Sequence, residues 1–318
     1  MIRYIPHHEI DFDKWDQCID QSLNGIIYPY SFYLNQVTPG WDALILDDYE
    51  AVMPLPAKKK AGIHYVIQPV FVQQLGVFSP KPVSQILISE FINTIPRFFR
   101  YININLNTFN SAGELPHLKT KANITYELDL ISPYEQLRNN YSKQTLRNLG
   151  KAAKYKVFVT RNDDPMPIIE SFRQNRGKKI YNLGESHYNT LKHLIHSGLY
   201  RGNTEIYSAY SRENTFCAGI VFFRSHRKSI LIFSGTTPHA RQNGAMTALI
   251  DQYIQDHSQQ DLTLDFEGSN QQSLARFYAG FGSKECVYLQ VEKNNFPVLF
   301  KYIPNFYFFL RKTLTQIR

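Results

Sequence analysis

Cysteine, methionine and tryptophan are scarce in this chain, at three, four and two residues of 318. Cys18, Cys217 and Cys286 are odd in number and far apart, which argues against a disulfide framework. No pair has metal-ligand spacing, so buried thiols are expected. The densest histidine group, His187, His193 and His196, comes without a recognisable ligand set, so these side chains are expected at the surface and no metal is expected. Long apolar runs are missing too. No segment reaches the roughly 18 residues needed to cross a bilayer, and the first eight residues (MIRYIPHH) lack the apolar core of a signal peptide. The expected location is cytoplasmic. Acids are outnumbered, 27 Asp and Glu against 35 Lys and Arg, giving a net charge of +8. That balance favours anionic partners in general. CoA, tRNA, nucleotide-linked precursors and anionic lipid headgroups all qualify, and no nucleic-acid motif separates them.

The most informative stretch is 229–282. Residues 229–235 (SILIFSG) form a β-branched apolar run, read as a strand. Residues 236–244 (TTPHARQNG) break it with Pro, Asn and Gly. From Ala245, the apolar positions Met246, Leu249, Ile250, Tyr253 and Ile254 mark one face of a helix. A second strand (LTLDF, 262–266), a turn (EGSN, 267–270) and a short helix (SLARFYAGF, 273–281) follow. Upstream, 205–210, 217–224 and 229–235 are separated by polar turns and read as an antiparallel meander. The segment Arg241, Gln242, Asn243, Gly244, Ala245 therefore opens a helix, where backbone N–H groups are unpaired and the dipole is positive. Such an end binds phosphate, although the same residues also suit an ordinary strand-to-helix turn.

This order of elements resembles the GNAT acyltransferase superfamily. Its pyrophosphate loop carries Gln or Arg, two variable residues, Gly, one variable residue, then Gly or Ala. Arg241 and Gly244 match, and Met246 departs from the pattern at the last small position. Residues 142–152 (SKQTLRNLGKA), 265–269 (DFEGS) and 275–282 (ARFYAGFG) resemble segments of the Fem-type, two-lobed subgroup. The resemblance spans about residues 135–290. It implies an α/β (α+β) fold of two tandem GNAT-like lobes, each a mixed, mostly antiparallel sheet flanked by helices. It also implies an acyltransferase. Fem-type enzymes use aminoacyl-tRNA and cell-wall precursors, while their relatives use acyl-CoA.

The first part of the chain echoes the second. A hairpin is expected from 43–48 and 49–58, then strands at 64–70 and 72–79, a helix at 83–99 and a strand at 101–107 alternating Ile and Asn, with one buried face. Its strand-to-helix link (SPKP, 79–82) has no glycine, and two prolines remove N–H donors. The expected division is an N-terminal lobe without a donor loop (1–122), a C-terminal lobe with one (123–298), and an aromatic, basic segment (299–318). The polar stretch 110–123 reads as the linker. The last segment is expected to pack on the N-terminal lobe, with an interfacial membrane helix as the alternative.

Acyl transfer to an amine needs an anchored donor, a polarised carbonyl, a free amine and, for a poor leaving group, a proton donor. The resemblance places the backbone donors for the carbonyl near 233–237. Glu267 is the candidate base, or else caps the following helix or pairs with Arg276. Tyr278 is the candidate proton donor for a thiolate leaving group, or else a core aromatic. Asn270 either caps that helix or bonds the donor. Lys143 and Arg147, with Lys151 and Lys154, share one face of a helix expected over 139–156, and read as an anionic acceptor site or a solvated face. The leading expectation is an N-acyltransferase moving an acyl group from acyl-CoA to an amine acceptor, a small molecule or a cell-wall precursor. Two alternatives stay open: a Fem-type aminoacyl transferase using aminoacyl-tRNA, and a non-catalytic binding protein whose site Met246 has degraded.

Overall fold

A computed structural model describes residues 1–111, 118–180, 183–268 and 270–296, apart from the side chains of Lys179 and Arg241. The expected C-terminal segment 299–318 and part of the expected linker lie outside the described residues. In chain order the elements are β1 (Ile2–Ile5), α1 (Phe12–Gln21), α2 (Ser31–Val37), β2 (Asp42–Leu46), β3 (Ala51–Leu55), β4 (Ala57–Lys60), β5 (Ile63–Ile67), α3 (Gln85–Thr94), β6 (Phe99–Asn105) and β7 (Lys119–Asp129). There follow α4 (Tyr134–Asn139), α5 (Lys143–Lys154), β8 (Phe158–Asn162), α6 (Met166–Gln174), α7 (Glu185–Tyr200), β9 (Thr204–Tyr210), β10 (Phe216–Ser225) and β11 (Lys228–Thr236). The last are α8 (Ala240–Asn243), α9 (Ala245–His257), β12 (Thr263–Asp265), α10 (Gln272–Ala279) and β13 (Lys284–Asn294).

The chain forms two compact units. Of the described residues, one holds Met1–Asn123 with 287–296, the other Ile124–Cys286. Each has a mixed sheet with one parallel pair. In the first unit, β4 pairs antiparallel with β5, β5 pairs parallel with β6, and β6 pairs antiparallel with β13. A separate three-stranded sheet runs β1-β2-β3. In the second unit, β8, β9, β10 and β11 form an antiparallel meander, β11 pairs parallel with β12, and β12 pairs antiparallel with β7. The parallel pairs are β5–β6 across α3 and β11–β12 across α9. Parallel neighbours need a crossover, and a helix supplies it in both units. The echo read from the sequence is thus one repeated hairpin–helix–strand unit.

Several details depart from the periodicity. The strand expected over 49–58 is two strands, β3 and β4, broken at Pro56, because proline offers no N–H to a ladder. The strand expected over 72–79 makes only two isolated bridges, Val52 with Phe78 and Leu75 with Leu106. The helix expected over 139–156 is split, since the Ser142 hydroxyl accepts from the Thr145 N–H and starts α5 afresh. The strand 101–107 buries its Asn face as well as its Ile face. Ile102 and Ile104 enter the core with Ile88, Phe91 and Ile92 of α3. Asn103 and Asn105 are buried beside polar partners, although the Asn105 side-chain oxygen accepts no hydrogen bond among the described residues. Gln290 donates to Asn103 at 2.8 Å, and Asn105 donates to the Gln73 carbonyl at 2.7 Å.

Glu205 on β9 is, with Asp265, one of the second unit's buried charges. It is 6% exposed and sits against Arg224 at 2.9 Å, His257 at 3.1 Å and Arg161 at 3.5 Å. Burial pushes its pKa up, but His257, Arg224 and Arg161 outweigh burial and hold it at about 2, below its ordinary 4.5. The depressed value stabilises the fold above pH 4.5, and that share is lost as pH falls through about 2. Its size is on the order of 3 kcal/mol. Urea unfolding of wild type and Glu205→Gln should therefore differ most at neutral pH and converge as pH falls from about 4.5 to 2. A constant gap over that window would contradict this account.

Candidate functional site

The site begins with how β11 and β12 are joined. Their ladder covers only Lys228–Thr263, Ser229–Leu264 and Ile230–Asp265. The Lys228 ammonium is held by Glu127 at 2.6 Å and lies 3.8 Å from Asp265. The ladder ends where β12 does, at Asp265, while β11 runs on to Thr236. Past the ladder opens a cleft of about 920 Å³, lined by Leu231, Ser234 and Thr236 of β11, by Gly244, Met246, Thr247 and Ile250, and by Gln271, Leu274, Phe277 and Tyr278. Asn148 of α5 and Phe172, Gln174, Asn175, Arg176 and Lys178 of the α6 region complete its walls. The opposite face of β11 is covered by α6. Gly219 and Gly235, paired across β10 and β11, leave room for Ile168, whose atoms would collide with a Cβ on either.

The loop expected over 236–244 is not all loop. Ala240–Asn243 is a helical turn ended by Gly244 at φ 74°, and α9 starts at Ala245. Gly244 is required by position as well as by φ, since a Cβ there would collide with the Asn148 carbonyl of α5. Asn243 is buried. Its side chain accepts from the Ala245 N–H at 3.1 Å and donates to the Cys217 sulfur at 3.2 Å. The first amide of α9 is therefore taken. The next amides belong to Met246 and Thr247, which both line the cleft. Ala245 is fully buried and Gln242 is exposed, and neither lines the cleft. The Arg241 side chain lies outside the described set.

Tyr278 faces the cleft from α10, half-buried, with its ring stacked on Phe266 at 4.9 Å. Its phenol pKa is raised to about 12 by burial, against the pull of Arg176 and with a further push from Glu267. Glu267 and Tyr278, chosen separately from the sequence, thus share one electrostatic neighbourhood. Glu267 follows β12 with φ 49°, and its N–H donates to Asp265 at 2.8 Å. Asn270 lies one residue before the N-cap position of α10. Its side chain accepts from the Ile124 N–H at 3.2 Å, and the cap position is Gln271.

The family-like segments meet in space. The Ser142 N–H and the Thr145 hydroxyl both donate to the Gly280 carbonyl, at 2.9 and 2.8 Å, so the start of α5 rests on the end of α10. Lys143 and Arg147 are exposed on the outer side of α5 and do not line the cleft. Arg147 donates to Gln144 at 2.8 Å, and Gln144 donates to Asn148 at 3.0 Å, which reaches the cleft wall. The sequence reading missed Arg176 and Lys178. They are the cations among the lining residues, and no lining residue described is an acid. The amphipathic pattern of α6 could have been read, with Ile168, Ile169 and Phe172 on one side. That the chain after it turns into the cleft could not. Among the described residues no cluster of His, Cys, Asp and Glu could hold a metal ion, and no helix is long and apolar enough to cross a membrane.

No family model and no curated protein matches this sequence. Solved structures do. FemX is 11% identical, with a TM-score of 0.62 over 90% of this chain and 96% of that one. The C-terminal domain (DUF2156) of a putative lysylphosphatidylglycerol synthetase from Agrobacterium fabrum is 10% identical, with a TM-score of 0.55 over 88% and 91%. The structure of L-PGS from Bacillus licheniformis is 9% identical, with a TM-score of 0.52 over 90% and 93%. At such identities the likeness is one of fold. The chain has a Fem-like α/β fold.

Proposed function

We propose that the cleft of the second unit transfers an acyl group from an activated carrier to an amine. One observation carries the reading: β11 runs on past the end of its ladder with β12 along a cleft, without an acid in its described lining, that joins the start of α9 to Tyr278. The donor's phosphates would lie at that helix start, on the amides of Met246 and Thr247, with Arg241 as the charged partner read from the sequence. The donor carbonyl would lie against the strand beyond Ile230, where backbone donors can polarise it. The amine nitrogen attacks the carbonyl carbon, and Glu267, which does not line the cleft, would accept the shed proton through a water. As the bond from carbon to the leaving atom breaks, Tyr278 protonates that atom. Lys143 and Arg147 would meet the anionic part of an acceptor that extends past Asn148.

Acyl-CoA is the leading donor. Aminoacyl-tRNA is the second reading, and Tyr278 favours it. An acid with a pKa of about 12 does little for a thiolate, which leaves unaided, but suits the more basic alkoxide of an ester. Calorimetry with acetyl-CoA and a longer acyl-CoA separates the donors. Binding by either supports the CoA reading. No heat from either at millimolar concentration, in a sample that unfolds cooperatively, removes CoA and leaves the ester donor.

A further inference from the structure

The cation face of α5 has little part in the cleft, and nothing acidic beside it in sequence answers it. From Gln136 to Asn162 there is no Asp or Glu. Lys143, Arg147, Lys151 and Lys154 recur along the helix and are exposed, and Lys156 follows, also exposed. Among the described residues none of these five forms an ion pair. The helix is held rigidly from behind, with Thr145 and Ala152 buried and α9 packed against it. Two large side chains stand out among the cations, Leu146 at 41% and Tyr155 at 53% exposed.

We propose that this face docks on an anionic phospholipid surface. Cations in one plane attract a charged bilayer, each adding to the binding. The apolar and aromatic side chains between them can enter the headgroup region, which a purely solvated face would not need. Four of the five cations are lysines, compact charges that suit a fluid headgroup layer. Recognition of RNA phosphates favours the bidentate fork of arginine, and Leu146 would have no role there. The docking is independent of the donor used in the cleft.

Sedimentation with vesicles tests it. The full chain should bind vesicles of equimolar phosphatidylcholine and phosphatidylglycerol, and not phosphatidylcholine alone. Added salt should release it. Each lysine removed should weaken binding about fivefold, so Lys151→Gln, Lys154→Gln and Lys156→Gln together should cost about a hundredfold. Leu146→Ser should cause a smaller loss on its own. A charge-matched control, Lys119→Gln with Lys192→Gln and Lys284→Gln, removes exposed lysines elsewhere and should bind like wild type. Equal loss in both triple variants would mean that net charge alone drives binding, and would overturn the assigned face. So would binding of RNA, but not vesicles, through the same three lysines. Thermal unfolding of each variant checks that the fold is intact.

Discussion

Gly244→Val should be the most damaging single change in the second unit. Valine at φ 74° pays the left-handed penalty of about 1–2 kcal/mol. Its Cβ also meets the Asn148 carbonyl, a backbone atom of α5 that cannot swing aside. Such overpacking typically costs about 1–3 kcal/mol more. A loss of roughly 3–5 kcal/mol in urea unfolding is therefore expected. Gly244→Ala should lose most of that too, because the collision involves the Cβ itself. At a helix start, a side chain here would keep an anion from the backbone. The structure adds a second reason, the seat of α5 on the α8–α9 junction. The two are separable, since without the collision Gly244→Ala would lose only the left-handed penalty of about 1–2 kcal/mol. That result would sink the packing account.

With an ester donor, Tyr278→Phe should slow turnover by at least about a hundredfold while leaving the fold in place. The ring keeps its stacking on Phe266, and only the hydroxyl is lost. The melting temperature should therefore stay close to wild type. If the hydroxyl protonates the leaving group, kcat falls and KM holds, because the interaction exists only in the transition state. The defect should be large with an ester donor and small with a thioester, since the thiolate needs no proton. Glu267→Gln should remove the acid-side limb of the pH–rate profile, because the base must be ionised to accept the amine's proton. A Tyr278→Phe enzyme with wild-type kcat on an ester donor would return Tyr278 to the core aromatics.

Much of this protein could be read from residues near each other in the chain. Periodicity gave α9 its start at Ala245, and β-branched runs gave β10 and β11. The order of these elements suggested the Fem-like fold, because strand–helix–strand connections admit few packings. Local pattern could also place Gly244 at a helix start and Tyr278 on a short helix. It could not place Arg176 and Lys178 beside them, since the link from α6 to the cleft is a matter of where the chain turns. Nor could it tell that Asn243 occupies the first amide of α9, or that the Asn face of β6 is buried. Those outcomes depend on partners far along the chain: Cys217 for Asn243, and Gln73 and Gln290 for the β6 asparagines. The sequence by itself determined the elements, their order and the chemistry they carry, because period and capping are local. Tertiary structure alone decided which polar groups are already satisfied and which side chains share the cleft, because a hydrogen bond or a packed glycine needs its distant partner in place.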